Sequence, residues 1–404
     1  MAGEWSELPL GEVITLQRGF DLPSQNRKPG RVPIVSSSGV SDYHSEVGVK
    51  GPGVVTGRYG TIGQVFLIKE DYWPLNTTLW VKDFHGNDPH FASYLLRTID
   101  FRSCSDKSSV PGVNRNDLHR ISVLLPPLAE QKTIAAVLGA LDDKIELNRR
   151  MNATLEEMAR ALFQSWFVDF DPVRAKLDGR QPAGLDAATA ALFPATFQDS
   201  PLGHIPTGWG AIPLYDTAQW VNGAAFKSED FCATGDGLPV IKIAELKDGI
   251  GAQTKWCKRA AGPNQIIDTG DLLYSWSGSP DTSLEAFLWS GGRGLLNQHI
   301  FKVIAPTTVE KRFVYYLLQY LRPVLVETAR NKQTTGLGHV TIADMKRLLA
   351  CMPNKAVLAA FDRDIAPIFD KAFTNTLESR TLATLRDTLL PKLLSGELPI
   401  SSVS

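Results

Sequence analysis

The sequence predicts an α+β protein in which two pseudo-two-fold-related globular domains are separated by an antiparallel coiled coil of two long helices. Two observations support this prediction: the 404-residue chain contains one pattern twice, and each copy ends in a long stretch with coiled-coil periodicity. The expected boundaries are globular domains over 1–126 and 208–353, long helices over 127–170 and 354–397, and a connecting segment over 171–207. Because the connecting segment is rich in Pro, Gly and Ala, we expect a linker that is partly ordered at best.

The internal repeat can be followed along nearly the whole chain. The motif Trp-x-x-x-Pro-Leu begins at Trp5 and again at Trp209, 204 residues later. The distance between equivalent positions grows to 227 residues at Val113 and then stays constant as far as Asn148 and its equivalent, Asn375. Insertions are therefore confined to the globular part of the second copy, where surface loops tolerate them, while the helical part keeps its length.

Each helical stretch carries a seam with the alternating 4-3 spacing of a coiled coil. A helix of this length extends for roughly 60 Å, so its most economical partner is the repeated helix. Asn148 and Asn375 interrupt the two seams near their midpoints, where the helices of an antiparallel pair meet. We expect these side chains to be close neighbours that set the register; the alternative is that both face solvent. The seam positions are 134, 138, 141, 145, 148, 152, 155, 159, 162 and 166, and the same positions plus 227.

Composition indicates a globular, non-secreted protein. The sequence shows no apolar run long enough to cross a bilayer and no signal peptide, so a cytoplasmic location is expected. Its four cysteines and seven histidines show no metal-ligand spacing. The net charge of −1 is unusual for a protein that binds nucleic acid alone. Basic residues must therefore cluster on one face, or a partner must supply further positive charge.

Motifs for catalysis are missing from the sequence. There is no P-loop and no Gly-x-Gly-x-x-Gly between a strand and a helix. Asp171-Pro172 lacks the second proline of a methyltransferase motif, and Asp281 with Glu285 lacks the lysine expected at a nuclease centre. An independent nuclease or methyltransferase remains an alternative, which a magnesium-dependent cleavage assay or a methyl-transfer assay on the isolated chain would reveal.

Several segments resemble the specificity subunits of Type I restriction-modification enzymes. Residues 124–138 (LLPPLAEQKTIAAVL), 141–148 (LDDKIELN) and 165–176 (SWFVDFDPVRAK) resemble the central helical region of that family, and 391–398 (PKLLSGEL) resembles the end of its distal helix. The distal helix departs from the family at its start, where Pro353 is not followed by Leu-x-Glu-Gln. The globular segments that resemble target-recognition domains are 51–63 (GPGVVTGRYGTIG) and 271–279 (DLLYSWSGS).

The resemblance implies a protein without catalytic activity of its own. Each globular domain would be a target-recognition domain that reads one half of a bipartite, asymmetric site in double-stranded DNA. The helical pair would set the gap and bind two methyltransferase (M) subunits, and two restriction (R) subunits can join them. S-adenosylmethionine, ATP and Mg²⁺ are expected on those partners, so this chain is expected to hold no cofactor.

Polar side chains in turns beside the predicted strands are the candidate DNA contacts, because Arg can pair with guanine and Asn or Gln with adenine. Any single one of them can equally be a solvated surface residue. Four tryptophans, Trp73, Trp80, Trp276 and Trp289, are interpreted as core residues in preference to base-stacking ones. The candidates are Ser36, Ser37, Ser38, Arg58, Tyr59, Thr61, Thr77, Thr78, Lys107, Asn114 and Arg115 in the first domain, and Lys242, Ser275, Ser277, Ser279, Asn297, Gln298, His299, Arg330, Lys332, Thr334 and His339 in the second.

A second alternative is a coiled-coil scaffold that binds proteins and reads no DNA. The near-zero net charge is compatible with this role. A band-shift experiment with and without a methyltransferase partner distinguishes the two, because a specificity subunit should bind tightly and sequence-specifically only in the complex.

Overall fold

The structure is a computed structural model that describes residues 5–101, 103–104, 112–259, 262–333 and 337–399. The chain forms two compact units. The first unit contains residues 1–147 and 379–404, and the second contains residues 148–378. Each unit therefore holds one globular copy together with part of both long helices.

The first globular copy consists of short strands and three short helices within the described residues. The start of the helix α2 (Pro89–Arg97) follows from its sequence. Pro89 occupies the first turn, where proline is tolerated, and the Asp88 side chain caps the helix by accepting hydrogen bonds from two backbone amides. The strands are β1 (Ser6–Pro9), β2 (Thr15–Arg18), β3 (Val32–Ser36), β4 (Gly39–His44), β5 (Gly53–Gly57), β6 (Val65–Ile68), β7 (Trp73–Pro74), β8 (Thr78–Asp83) and β9 (Ser122–Leu125), and the helices are α1 (Leu10–Val13), α2 (Pro89–Arg97) and α3 (Arg115–His119).

A four-stranded antiparallel sheet with the order β2-β8-β5-β6 forms the centre of this copy. The strands of a smaller sheet, β4-β3-β7, come between those of the central sheet along the chain. Strand β1 pairs with β9. Buried residues of the sheet and of α2, such as Val54, Leu79 and Phe91, belong to one hydrophobic cluster. Burial of these side chains is the main source of the domain's stability.

After the first copy comes the long helix α4 (Leu128–Phe167), which has 40 residues. The connecting segment follows, and here the expectation of a poorly ordered linker is wrong. The segment forms α5 (Asp171–Leu177), α6 (Ala187–Ala191), β10 (Phe197–Ser200) and β11 (Gly203–Pro206).

The connecting segment is ordered because it contributes to the core of the second unit. Val173, Phe193 and Ile205 are at most 2% exposed and belong to the same hydrophobic cluster as Trp166 and Trp209. Its small and turn-forming residues begin the helices and form the turns between these buried residues. Composition alone therefore suggested a flexible linker, although hydrophobic packing orders the segment.

The second globular copy repeats this arrangement with more elements. Its strands are β12 (Gly210–Pro213), β13 (Gln219–Asn222), β14 (Phe231–Cys232), β15 (Leu238–Ile241), β16 (Trp256–Cys257), β17 (Ile266–Ile267), β18 (Leu272–Ser275), β19 (Ser277–Gly278), β20 (Glu285–Leu288), β21 (Gly294–Leu296), β22 (Ile300–Ile304), β23 (Gly338–His339) and β24 (Leu349–Met352), and its helices are α7 (Ile243–Asp248), α8 (Pro280–Ser283), α9 (Thr308–Arg330) and α10 (Ile342–Arg347). The second long helix, α11 (Lys355–Leu394), also has 40 residues.

Strand order confirms that the two copies are related. The central sheet of the second copy has the order β13-β22-β18-β20, which matches β2-β8-β5-β6 strand for strand. The pair β12-β24 likewise corresponds to β1-β9. The smaller sheet is also repeated, because β16-β15-β21 corresponds to β4-β3-β7 with the same parallel pair. The second copy adds β14 and β17 to give a five-stranded sheet, β14-β16-β15-β21-β17, and its helix α9 has 23 residues. These additions account for the growing distance between equivalent residues.

The two long helices pair antiparallel within each unit, as predicted. In the second unit, Asn148 bonds to Glu378 at 2.8 Å, whereas Phe167, further along α4, packs on Phe361 with ring centroids 4.9 Å apart. In the first unit, Asp142 bonds to Arg386 at 2.7 Å. None of the predicted seam positions is exposed in either helix. The 4-3 spacing therefore identified the buried stripe of both helices.

Asn148 and Asn375 are both fully buried and lie beside each other, so the prediction of close neighbours is confirmed and the solvent-facing alternative is wrong. Their contact differs from an amide–amide pair. The Asn148 amide donates to Glu378 and, at 3.4 Å, to the Asn375 carbonyl oxygen, while the Asn375 amide donates to Asn152 at 2.9 Å. Register thus depends on a polar layer across both helices rather than on one pair.

A carboxylate of α4 connects the first globular copy to the helical pair. Asp142 accepts hydrogen bonds from Tyr94 and Arg97 of α2 and from Arg386 of α11, at 2.7–3.0 Å. Burial raises the pKa of the Asp142 carboxyl, but these hydrogen bonds and positive charges outweigh that effect and hold the pKa below its ordinary value. Among the described residues, the neighbouring Asp143 makes only an exposed ion pair, with Lys69.

Among the described residues, no helix is both long and apolar enough to cross a membrane. In the same part of the chain, no group of three or more His, Cys, Asp or Glu side chains is arranged to hold a metal ion.

Replacing Asn148 with Ala should lower the free energy of unfolding by about 1–3 kcal/mol, because it leaves buried polar partners without their bonds. Equilibrium urea unfolding measures this change. The control is Met158→Ala on the same helix, where the side chain is 52% exposed and a change within about 0.5 kcal/mol is expected. Equal stability of the Asn148→Ala variant and the wild-type chain would contradict a register-setting role.

Asp142→Asn should destabilise the chain by about 1–3 kcal/mol, and Asp143→Asn should have little effect, because only Asp142 bonds to charged groups in a partly buried site. The folded chain lowers the pKa of Asp142, so its contribution is complete above about pH 4 and is lost as the pH falls below that. Unfolding measured from pH 3 to 7 should show a smaller loss of stability at low pH in Asp142→Asn than in wild type, because other carboxyls with lowered pKa values, such as Asp344, titrate in both. Equal losses for the two variants would sink this interpretation.

Candidate nucleic-acid interface

The loop after β5 presents Arg58 from a closely packed backbone. Gly57 precedes it, and a Cβ atom at Gly57 would lie 2.0 Å from the Thr61 carbonyl oxygen, so only glycine fits. Gly60 adopts a φ of +71°, which also favours glycine. The two glycines flanking Arg58-Tyr59 therefore let the loop fold back on itself beside the sheet.

Two backbone hydrogen bonds pin Arg58 itself. Its amide donates to the Thr77 carbonyl oxygen at 2.9 Å, and its carbonyl oxygen accepts from the Val113 amide at 3.1 Å. Tyr59 continues this contact through a β-bridge to Gly112. The backbone of Arg58 is thus held between the start of β8 and the loop before α3, and the side chain projects from a rigid position.

Arg58 lines a groove of about 400 Å³ in the first unit. Its guanidinium lies 4.7 Å from the centre of the Tyr59 ring, a distance typical of a cation–π contact. Within the described chain, no carboxylate is in ion-pair range of Arg58 or Arg115, and the third arginine, Arg18, pairs only with the exposed Asp21. The groove is lined by Arg18, Arg58, Tyr59, Leu79, Gly112, Val113, Asn114 and Arg115.

Positive charge is therefore concentrated locally although the whole chain is nearly neutral. Of the described residues that line this groove, three are arginines and none is acidic. Such a site can bind phosphate oxygens, or the acceptor edge of guanine in a duplex groove.

The serine hairpin lies next to the arginine loop. Ser37 and Ser38 form the turn between β3 and β4, and the Ser36 hydroxyl donates to the Gly39 carbonyl oxygen at 3.0 Å. The Ser37 hydroxyl lies 3.6 Å from where a Cβ atom of Gly60 would be. The structure thus brings two predicted groups, 36–38 and 58–61, together at one end of the sheet.

The second unit repeats the frame around Arg58 with a tryptophan in its place. The Trp276 amide donates to the His299 carbonyl oxygen at 3.3 Å, and the Trp276 carbonyl oxygen accepts from the Val340 amide at 2.9 Å. The next residue, Ser277, pairs with His339, as Tyr59 pairs with Gly112. Both copies therefore hold one residue after a central strand by the same two hydrogen bonds.

Polar side chains surround Trp276. Its indole N–H donates to the Asn222 Oδ1 atom at 3.2 Å, and its ring lies 5.7 Å from the His299 ring. Gln298 contacts the His299 ring nitrogen at 3.1 Å. The structure thus brings Trp276 together with three of the candidate DNA contacts, Ser277, Gln298 and His299.

Other predicted contacts lie beneath the surface or serve the local fold. Thr78 and Ser275 are fully buried, and the Thr78 hydroxyl donates to the Leu75 carbonyl oxygen at 2.7 Å. Asn114 caps α3 by accepting a hydrogen bond from the Asn116 amide. In this structure Thr78 and Ser275 cannot touch a ligand, because strand packing directs their hydroxyls inward.

Two predicted cations of the second domain are already paired. Arg330 bonds to Asp281 and Glu327. Lys332 bonds to Asp344 at 2.6 Å. Burial raises the pKa of Asp344, but hydrogen bonds from Lys332 and Thr341 outweigh this and lower the pKa to about 2. These ion pairs stabilise the domain and leave less positive charge for a ligand.

The remaining predicted residues of the second domain lie at separate points. Lys242 precedes α7, with its ammonium 5.6 Å from the Phe231 ring centre. The backbone amide of Asn297 bonds to the Ile241 carbonyl oxygen, and the exposed Ser279 precedes α8. Lys107 and Thr334 lie outside the described residues.

The candidates chosen from the sequence do not include Arg18 or Asn222, which the structure places beside Arg58 and Trp276. Trp276, interpreted as a core residue, packs against the hydrophobic cluster of the second unit but is not fully buried. The structure shows Trp276 as half-buried, whereas Trp80 and Trp289 are at most 8% exposed. The internal repeat relates these two residues, because Arg18 and Asn222 are 204 residues apart, the same distance as the repeated Trp5 and Trp209. Both lie at the end of the strand that opens the central sheet.

Sequence comparison gives three findings. Residues 2–157 match the family described as the Type I restriction modification DNA specificity domain. The chain is 26% identical over 335 residues to the specificity subunit of the HindI Type I restriction enzyme of Haemophilus influenzae, which covers 73% of this chain and 72% of that one. It is 23% identical over 381 residues to the MjaIX specificity subunit of Methanocaldococcus jannaschii, with coverage of 91% and 82%.

Among solved structures, the S subunit of a Type I restriction-modification system from M. genitalium is similar in fold, with a TM-score of 0.61 at 15% identity. The match covers 97% of this chain and 96% of that one. At this identity the likeness concerns the fold alone. By sequence, the chain is similar over most of both copies to specificity subunits of Type I restriction enzymes, and the family match covers the first copy.

Proposed function

We propose that this chain is the DNA-sequence-reading subunit of a Type I restriction-modification complex. The observation that carries the proposal is the arginine groove of the first copy, in which Arg58 is pinned by the same backbone frame that holds Trp276 in the second copy. A repeated frame that carries different side chains is what two readers of different half-sites require.

Each globular domain reads one half of a bipartite, asymmetric site in double-stranded DNA. In the first domain, Arg58 contacts a base edge because its backbone is fixed, and Arg115, exposed at the start of α3, contacts a phosphate. The serine hairpin 36–38 beside them supplies further hydroxyl groups. The second domain uses the polar cluster around Trp276.

The paired helices α4 and α11 set the gap between the half-sites and bind two methyltransferase subunits, to which two restriction subunits can add. Exposed apolar residues on both helices, such as Val137, Leu147 and Leu385, offer contact area for such partners. Positive charge from these subunits would supplement a chain whose net charge is −1.

The chain performs no chemistry of its own in this proposal. S-adenosylmethionine, ATP and Mg²⁺ are bound and used by the partner subunits. The chain determines where the complex methylates or cleaves, because this chain makes the contacts that read the DNA sequence.

In the complex with methyltransferase subunits, Arg58→Ala should weaken binding to the recognised site by about 1–3 kcal/mol and relax the preference for one base pair of one half-site. Arg115→Ala should weaken binding to all sequences and reduce the salt dependence by about one phosphate contact. Fluorescence anisotropy at several salt concentrations measures both effects.

Arg180→Ala is the matched control, because Arg180 is exposed and its ion pair among the described side chains is with Asp178. It should leave affinity, base preference and salt dependence unchanged. The assignment of the groove is wrong if Arg58→Ala and Arg115→Ala bind the duplex as Arg180→Ala does.

Exchanging residues 1–126 for the corresponding domain of another Type I specificity subunit should change one half of the recognised site and leave the other half and the gap intact. Genome-wide mapping of methylated bases in cells that express the chain with its methyltransferase reads this out directly. A single asymmetric motif with a fixed gap is expected for the unaltered chain. Loss of the whole motif in a folded exchange variant would contradict independent half-site reading.

A further inference from the structure

We infer that Trp276 is the base-facing residue of the second domain and that its indole ring contacts the 5-methyl group of a thymine. The inference rests on the proposed DNA-reading function and assigns the chemistry of one half-site. It follows from the structural equivalence of Trp276 and Arg58, the side chains around Trp276, and the groups that different base pairs expose.

Trp276 and Arg58 occupy equivalent positions in the two domains. Each residue follows the third strand in the order of its central sheet, β5 or β18. Each donates its amide to the residue that leads into the neighbouring strand, Thr77 or His299, and accepts from a valine, Val113 or Val340. Thr77 and His299 each directly precede the second strand of the central sheet, and the two valines are equivalent in the sequence repeat. The frame therefore presents Trp276 where it presents Arg58 in the other domain.

A ligand can reach only part of the Trp276 indole. One side of the ring packs on Phe301, with centroids 5.6 Å apart and an angle of 29°. The only polar atom, the indole N–H, already donates to Asn222. Because Trp276 is still partly exposed, the surface left for a ligand is apolar carbon. Such a surface cannot form the paired hydrogen bonds that arginine makes with guanine.

The side chains that surround Trp276 differ in chemistry from those that surround Arg58. Asn222 occupies the position of Arg18, and the equivalent of Arg115 is Ile342. The three arginines of the first groove are thus replaced by an amide, an indole and an aliphatic side chain. This neutral set no longer favours guanine or phosphate and matches an A·T pair, whose thymine methyl group is the apolar feature of the major groove.

The test uses the complex of the full chain with its methyltransferase subunits and duplexes that carry the mapped site. Each thymine of the second half-site is replaced in turn by uracil, which removes only the methyl group. At one position this replacement should weaken binding by wild type roughly fourfold, the effect expected for burial of one methyl group. With Trp276→Ala, the thymine and uracil duplexes should bind equally.

Trp276→Phe keeps an apolar ring and should retain most of the preference for thymine. Trp289→Phe is the control for a tryptophan in the core, because Trp289 is 2% exposed, and it should keep the full preference. Arg58→Ala should leave the preference unchanged, since Arg58 belongs to the other domain. A role of Trp276 in packing alone would weaken binding to both duplexes equally and leave their ratio near four.

Three results bear on the inference in different ways. Loss of the thymine preference in Trp276→Ala supports it. A preference that survives in Trp276→Ala, or a wild-type complex indifferent to every uracil in the second half-site, overturns it. Absence of any sequence-specific binding by the wild-type complex would instead overturn the proposed function, so the two failures can be told apart.

Discussion

Two 40-residue helices must bury one apolar stripe each, and this requirement organises both units of the structure. In each unit the stripe of α4 is covered by α11 running in the opposite direction, and the globular copy packs on the same core. Trp166 and Phe361 share one hydrophobic cluster with the sheet of the second copy, and Ile134 and Leu393 share another with the first. The same hydrophobic clusters therefore stabilise both the helix pair and the globular copies.

The polar layer inside this apolar stripe has a separate purpose. Burying Asn148 and Asn375 costs free energy, which their bonds to Glu378 and Asn152 offset. A slipped register would leave these amides facing apolar side chains. The layer thus selects one alignment of the helices, and any function that depends on the length of the spacer depends on that alignment.

The two globular copies show how one frame can carry different recognition chemistry. Backbone bonds hold the positions of Arg58 and Trp276, so the side chains can change without changing the fold. The first copy concentrates cations, whereas the second pairs its cations internally, as with Lys332 and Asp344. This separation of frame from side chain is what the proposed reading of two different half-sites requires.

The sequence by itself determined the duplication, the antiparallel pairing and the buried stripe, because these follow from a constant spacing and a helical period that are local in the chain. The glycines that flank Arg58 also predicted a tight turn there, and Gly57 and Gly60 form one. Only tertiary structure decided that 171–207 belongs to a core, that Thr78 and Ser275 are buried, and that Trp276 takes the place of Arg58. Each of these depends on contacts between residues far apart in sequence, which composition and periodicity do not record.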